Sequence, residues 1–125
     1  MKSAIVGWGH IPFGRRTEDV ETMIIEVAGE ALSSAGVDAS DVDAVFLGWF
    51  NGGMAEQDFG ASLVMNGFEA LRYKPATRVE NACATGSAAI YQGIDFIGAG
   101  RGKVVLVVGV EKMTDVPPAE SNRAP

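Results

Sequence analysis

The run Lys103-Val104-Val105-Leu106-Val107-Val108-Gly109-Val110 constrains this chain more than any other stretch. Seven of its residues are apolar or glycine, β-branched valine dominates, and no polar residue alternates with them. A strand with one wet face would alternate, so a continuous run of this kind belongs in a parallel sheet covered on both faces. Parallel neighbours need long crossovers, usually helices, so the rest of the chain should supply them.

It does. Val20, Met23, Ile24, Val27, Ala28, Ala31, Leu32 and Ala35 recur at helical spacing and make one apolar stripe; Asp19 can cap its start and Gly36 can end it in a left-handed turn. Val37 to Asp43 reads as a polar turn, because its three aspartates lack the spacing of a calcium loop. Ala44 to Phe50 is an apolar run of strand length closed by Asn51-Gly52-Gly53, and Gln57 to Phe68 offers a weaker helix. Ala76 to Glu80 is a third extended segment. Ser3 to Trp8, short and apolar before a turn at Gly9-His10-Ile11-Pro12, reads as a first buried strand. Gly7, Gly9 and Gly14 do not make a dinucleotide fingerprint, since Pro12 and the spacing break it. The helix expected after residue 84 is apolar nearly all round, which predicts burial. The order is β-α-β-α-β-α-β, an α/β domain with a mostly parallel sheet over residues 1–114, followed by a polar, proline-bearing linker or disordered tail over 115–125.

Cys83 is the only cysteine. It falls where the strand Ala76 to Glu80 hands over to that Ala- and Gly-rich helix. The first turn of a helix leaves N–H groups without intrahelical acceptors and carries partial positive charge, which favours thiolate over thiol and can stabilise an oxyanion on a carbonyl under attack. Ala82, Ala84 and Gly86 leave room for a substrate to approach. The alternative is a small buried hydrophobe, the commonest state of a free cysteine.

Composition excludes several functions. A formal net charge of −6 argues against a nucleic-acid partner. No apolar run approaches the ~20 residues of a membrane span, and no signal-peptide core precedes Gly7. A single cysteine permits no internal disulfide and fits the cytoplasm, and no metal-ligand cluster is evident. Every charged residue from Glu18 to Asp58 is acidic, whereas Arg72, Lys74 and Arg78 gather just upstream of Cys83. These bases are either solvated surface or a receiver for an anionic substrate.

Four blocks carry a resemblance: Ile5-Val6-Gly7 with Pro12-Phe13-Gly14; Ala35-Gly36-Val37 with Asp41-Val42-Asp43; Asn81-Ala82-Cys83-Ala84-Thr85-Gly86-Ser87-Ala88; and Gly109-Val110-Glu111-Lys112-Met113-Thr114. With them the chain resembles the N-terminal half of a thiolase, most closely the sterol-carrier-protein-type acetyl-CoA acetyltransferases. The resemblance implies that Cys83 takes an acyl group from acyl-CoA as a thioester and that free CoA, or the enolate of acetyl-CoA, then attacks it. Coenzyme A thioesters would be substrates, with no tightly bound cofactor and no metal. It also implies that the other catalytic groups (a histidine in a Gly-His-Pro segment, an Asn or His before Glu-Ala-Phe, and a late cysteine or histidine) lie in the family's second half; none of those segments occurs here. It further implies strand order 3-2-1-4, which would set the first and third strands about 10 Å apart and hold His10, the only histidine, away from Cys83.

The expectation is therefore an acyltransferase half that acts with a second half and pairs with it or with another copy, first of all along Ala76 to Glu80. Two other readings compete with it. One is a non-catalytic thiolase-like interaction or scaffold subunit in which Cys83 only packs. The other is a small cysteine thioesterase using His10.

Overall fold

The computed structural model describes residues 2–50 and 59–114. Its regular elements are helix α1 (Val20–Ala35), strand β1 (Ala44–Gly48), strand β2 (Ala76–Val79), helix α2 (Thr85–Gly98) and strand β3 (Val105–Gly109). The strands form one parallel sheet in the order β2-β1-β3, with Gly48 level with both Val79 and Gly109. The expected α/β architecture is present, with one helix on each face.

The apolar runs explain the layering. Successive residues of β1 point to opposite faces, so Val45 and Leu47 join α1 while Ala44 and Phe46 meet α2. In the larger core, Val20, Met23, Ile24, Ala28 and Leu32 of α1 pack with Leu106 and Val108 of β3 and with Trp49. On the other face Phe96 sits edge-on to Phe46, with ring centroids 6.0 Å apart. α2 lies close because Gly93 faces Val105 and Val107: a methyl there would come within 3.2 Å of both side chains.

α1 begins and ends where its sequence says. Asp19 accepts the Thr22 N–H at 2.8 Å, and that bond holds its carboxyl below the usual aspartate range. Gly36, at φ 65°, closes the helix with its N–H on the carbonyls of the last turn. The polar turn that follows is a single 3-10 turn, Ala39–Asp41, capped by Asp38. Asp43 then ties the loop before β1 to the start of β3: one carboxylate oxygen accepts the N–H groups of Lys103 (2.7 Å) and Val104 (3.1 Å). These two bonds are the main reason its carboxyl is held below the ordinary range, with Lys74 and Lys103 adding charge attraction.

Three expectations need correction. Ser3 to Trp8 is not a strand. Its backbone is irregular, and Ile5 and Trp8 are 81% and 73% exposed. Both edges of β1 are already occupied, by β2 on one side and by a ladder to β3 on the other that Asp43 N–H to Val104 O and Val110 N–H to Gly48 O extend at its ends. The segment is tethered to α1 instead, through Trp8 N–H to Ser34 Oγ (3.3 Å) and His10 N–H to Glu30 Oε1 (3.2 Å). Gly7 and Gly9 permit that approach, since a Cβ at either would collide with the Ala35 or Val27 to Ala31 backbone. Consequently the sheet has three strands among the described residues, with β3 at its edge.

The helix after Cys83 is not buried all round. A helix resting on one sheet face buries one stripe, here Thr85, Ala89, Gly93 and Phe96. Ile90 and Ile94 remain 44% and 42% exposed on the outer side, with Tyr91 between them. The weaker helix expected at Gln57 to Phe68 is a 3-10 segment, Gly60–Asn66, followed by a second short turn at Glu69–Leu71; Leu63, Val64 and Leu71 carry its apolar contacts to the core. Its first two residues, the turn at Asn51-Gly52-Gly53 and the tail 115–125 lie outside the described residues.

Candidate active site

Parallel strands bring their carboxyl ends to one edge of the sheet, and in α/β folds that edge is where ligands bind. Val79, Gly48 and Gly109 end there, level with one another. Beyond β2 the chain makes one 3-10 turn, Ala82–Ala84, and enters α2 at Thr85. Cys83 occupies the middle of that turn and is exposed. Packing burial of the thiol, the competing expectation, is therefore not what the structure shows. Nothing comes within 4 Å of a Cβ placed on Gly86, so the approach expected over the small residues is open.

The turn is held from several directions. Ala82 has φ 45°, in the left-handed region that residues with a Cβ seldom adopt. Thr85 Oγ1 accepts the Asn81 N–H at 2.9 Å and donates to the Ala82 carbonyl at 2.5 Å, while Glu80 accepts the Ala82 N–H at 2.5 Å. Ala84 N–H closes on the Asn81 carbonyl at 2.8 Å. Thr85 itself is fixed against β1, because it fills the space above Gly48.

Two longer connections fasten the end of β1 beside this turn. Arg78 donates to the carbonyls of Trp49 (2.8 Å) and Phe50 (3.1 Å), and its guanidinium lies 5.5 Å from the Trp49 ring centre. Glu111, just after β3, accepts the Phe50 N–H at 2.6 Å. Phe50, Glu111, Cys83 and Gly86 all border an open cavity of about 1540 Å³ that continues along β3 between the two helices. Sequence reading assigned none of these bonds; the four-residue spacing of Asn81 and Thr85 is the one local signal that could have pointed to the first of them.

The basic trio does not converge on the thiol. Arg72 lies 3.7 Å from Glu69, Lys74 reaches the Ser40 carbonyl at 3.4 Å, and Arg78 is engaged with β1. The cause is the strand itself: β2 carries Lys74 before one end and Cys83 after the other. His10 borders the same cavity as Cys83, but its ring packs edge-on against Phe13 at 4.8 Å and no hydrogen bond joins it to the thiol among the described residues. The strand that was expected to space the two residues is absent, so that reason for their separation falls away. Among the described residues no group of three or more His, Cys, Asp or Glu could hold a metal ion, and no helix is long and apolar enough to cross a membrane.

Comparison with known proteins agrees with this arrangement. The family model described as "Thiolase, N-terminal domain" matches residues 3–124. The chain belongs to the thiolase family. An acetyl-CoA acetyltransferase of Methanocaldococcus jannaschii is 41% identical over 120 residues, covering 94% of this chain and 30% of that protein. One from Methanothermobacter thermautotrophicus is 36% identical over 115 residues, again 90% of this chain and 30% of the relative. This thiolase chain thus spans about 30% of the length of those relatives, at their N-terminal side. Among solved structures, 3-oxoacyl-[acyl-carrier-protein] synthase III from Aquifex aeolicus VF5 superposes with a TM-score of 0.69 at 26% identity, over 80% of this chain and 32% of that one.

Proposed function

We propose that this thiolase-family chain supplies the acyl-carrying thiol of an acyl-CoA acyltransferase, with Cys83 as the nucleophile and coenzyme A thioesters as substrates. The single observation that carries the reading is the placement of the only cysteine: exposed, in the turn between β2 and α2, at the carboxyl edge of a parallel sheet. The Cys83 thiolate attacks the thioester carbonyl; the carbonyl π pair moves to oxygen and returns as the CoA thiolate leaves, so one thioester is exchanged for another. The Thr85 N–H is held by the Ala82 carbonyl, and the N–H groups that follow it in the first turn of α2 can serve the transient oxyanion. The acyl group then passes either to free CoA or to the enolate of acetyl-CoA.

The base for that enolate belongs, on this reading, to the remainder of a thiolase, supplied by the same polypeptide or another. The exposed outer side of α2, with Ile90, Tyr91 and Ile94, favours such pairing or self-association, because apolar side chains clustered on one helix face gain from being covered. Thiolysis of acetoacetyl-CoA tests the division of labour. The chain alone should give no turnover; added to the separately produced remaining segment of the Methanocaldococcus jannaschii relative, it should give turnover that a Cys83→Ser variant lacks. Turnover by the chain alone, sensitive to His10→Ala, would favour the thioesterase reading. No turnover in any mixture, with complex formation intact, would favour the scaffold reading.

A further inference from the structure

We propose that Thr85 and Glu80 are positioning residues for Cys83, acting by holding Ala82 in its left-handed conformation. The inference rests on the reading of Cys83 as the working thiol, and it concerns how that thiol is aimed rather than what it does.

A residue with a Cβ is disfavoured at positive φ, and such conformations persist only where neighbouring groups impose them. Ala82, at φ 45°, shares that region with only Phe59 among the described non-glycine residues. Both of its backbone polar groups are engaged: the N–H is accepted by Glu80, and the carbonyl accepts the Thr85 hydroxyl together with the Thr85 backbone N–H. The same hydroxyl accepts the Asn81 N–H, so one oxygen spans the turn on both sides of the Ala82 Cα. Among the described residues with hydroxyl, amide or charged side chains, Thr85 alone is buried, at 7% exposure. Its methyl faces Gly48, where a Cβ would come within 3.1 Å. Support therefore runs from the rigid centre of the sheet through Thr85 to Ala82, and the next residue is Cys83. A right-handed Ala82 would redirect the chain and swing the thiol away from the start of α2.

The bonding also limits what Thr85 can do. Its single proton is committed to the Ala82 carbonyl and a lone pair to the Asn81 N–H, so it has no proton to exchange with the sulfur. It positions, and takes no part in proton transfer.

The test uses the full chain and the second-order rate of Cys83 alkylation by iodoacetamide at neutral pH, with far-UV circular dichroism and thermal melting on every variant. Thr85→Val keeps the shape and removes the hydroxyl; alkylation should slow by up to about fivefold, the scale of losing the partial positive charge at the start of α2. Thr85→Ser should stay within about twofold of the parent, because it restores the hydroxyl. Glycine needs no clamp at positive φ, so Ala82→Gly combined with Thr85→Val should recover most of the lost rate. Glu80 is exposed, so Glu80→Ala should fold even if Thr85→Val does not, and it should slow alkylation by about threefold in a manner that Ala82→Gly relieves. The proposal is overturned if folded Thr85→Val reacts like the parent, if Thr85→Ser is as slow as Thr85→Val, if Ala82→Gly rescues neither change, or if Glu80→Ala has no effect. Alkylation needs no acyl-CoA. A parent chain that is alkylated in this clamped pattern but accepts no acyl group even with the complementing thiolase segment present would refute the acyl-transfer reading and leave the clamp standing.

Discussion

Replacing Asp43 by alanine tests how the loop before β1 anchors the edge strand. Alanine keeps the Cβ that packs near Gly102 and removes only the carboxylate, so the change isolates two hydrogen bonds. They are unequal. Lys103 is exposed and its freed N–H turns to water at little cost, whereas Val104 is half-buried and its N–H is left without a good acceptor. One bond to a charged acceptor largely lost and one largely replaced by solvent give a destabilisation of about 1–2 kcal/mol at pH 7. Urea unfolding followed by circular dichroism measures it, and melting should fall by about 3–12 °C.

The effect should also titrate. The folded-state carboxyl is held below the ordinary aspartate value of 3.8, so its stabilisation is fully present above that value and is lost as pH falls through the lower folded one. The difference between parent and Asp43→Ala should therefore shrink progressively as pH falls below about 4. Asp43→Asn keeps an acceptor oxygen without the charge, and should retain part of the stability with no titration of its own. A difference at pH 7 smaller than about 0.3 kcal/mol, or one equally large at pH 2, would refute the assignment.

Two further substitutions probe the frame around the site. Asp19→Ala removes the α1 cap and should cost about 1 kcal/mol, read as a drop in melting temperature; its carboxyl is held low as well, so this cost too should fade as pH falls below the usual aspartate range. Gly60→Val should cost about 1–3 kcal/mol in urea unfolding, because a Cβ there meets Trp49 Cζ3 at 2.6 Å and the Trp49 ring, 1% exposed, has nowhere to retreat.

What could be read from the sequence followed locality. α1 was legible from Asp19 to Gly36 because its cap, stripe and stop act within a few residues. β1 and β3 announced themselves as unbroken apolar runs, and the helix start beside Cys83 followed from a strand giving way to small residues. Ser3 to Trp8 looked the same as those strands in composition. Its fate depended on whether an edge of β1 was free, which no local pattern records; the glycines that let it lie along α1 read equally well as a turn. The all-round apolarity of α2 gave its interior character but not the number of layers available to cover it. At the site, the position of Cys83 was legible and its supports were not. Glu111 meets the backbone of Phe50 across 61 positions and Arg78 reaches Trp49 across 29, distances over which sequence carries no register. The basic trio shows the converse, since neighbours in sequence were sent to opposite ends of one strand.

The central claim is that Cys83 becomes an acyl thioester. Peptide mass spectrometry after exposure to acetyl-CoA, with the complementing thiolase segment present, tests it directly. The account predicts a single acetyl adduct on the peptide bearing Cys83, removed by added CoA and absent from Cys83→Ser. An unmodified Cys83 in a mixture that turns over acetoacetyl-CoA, or an adduct that persists in Cys83→Ser, would contradict it.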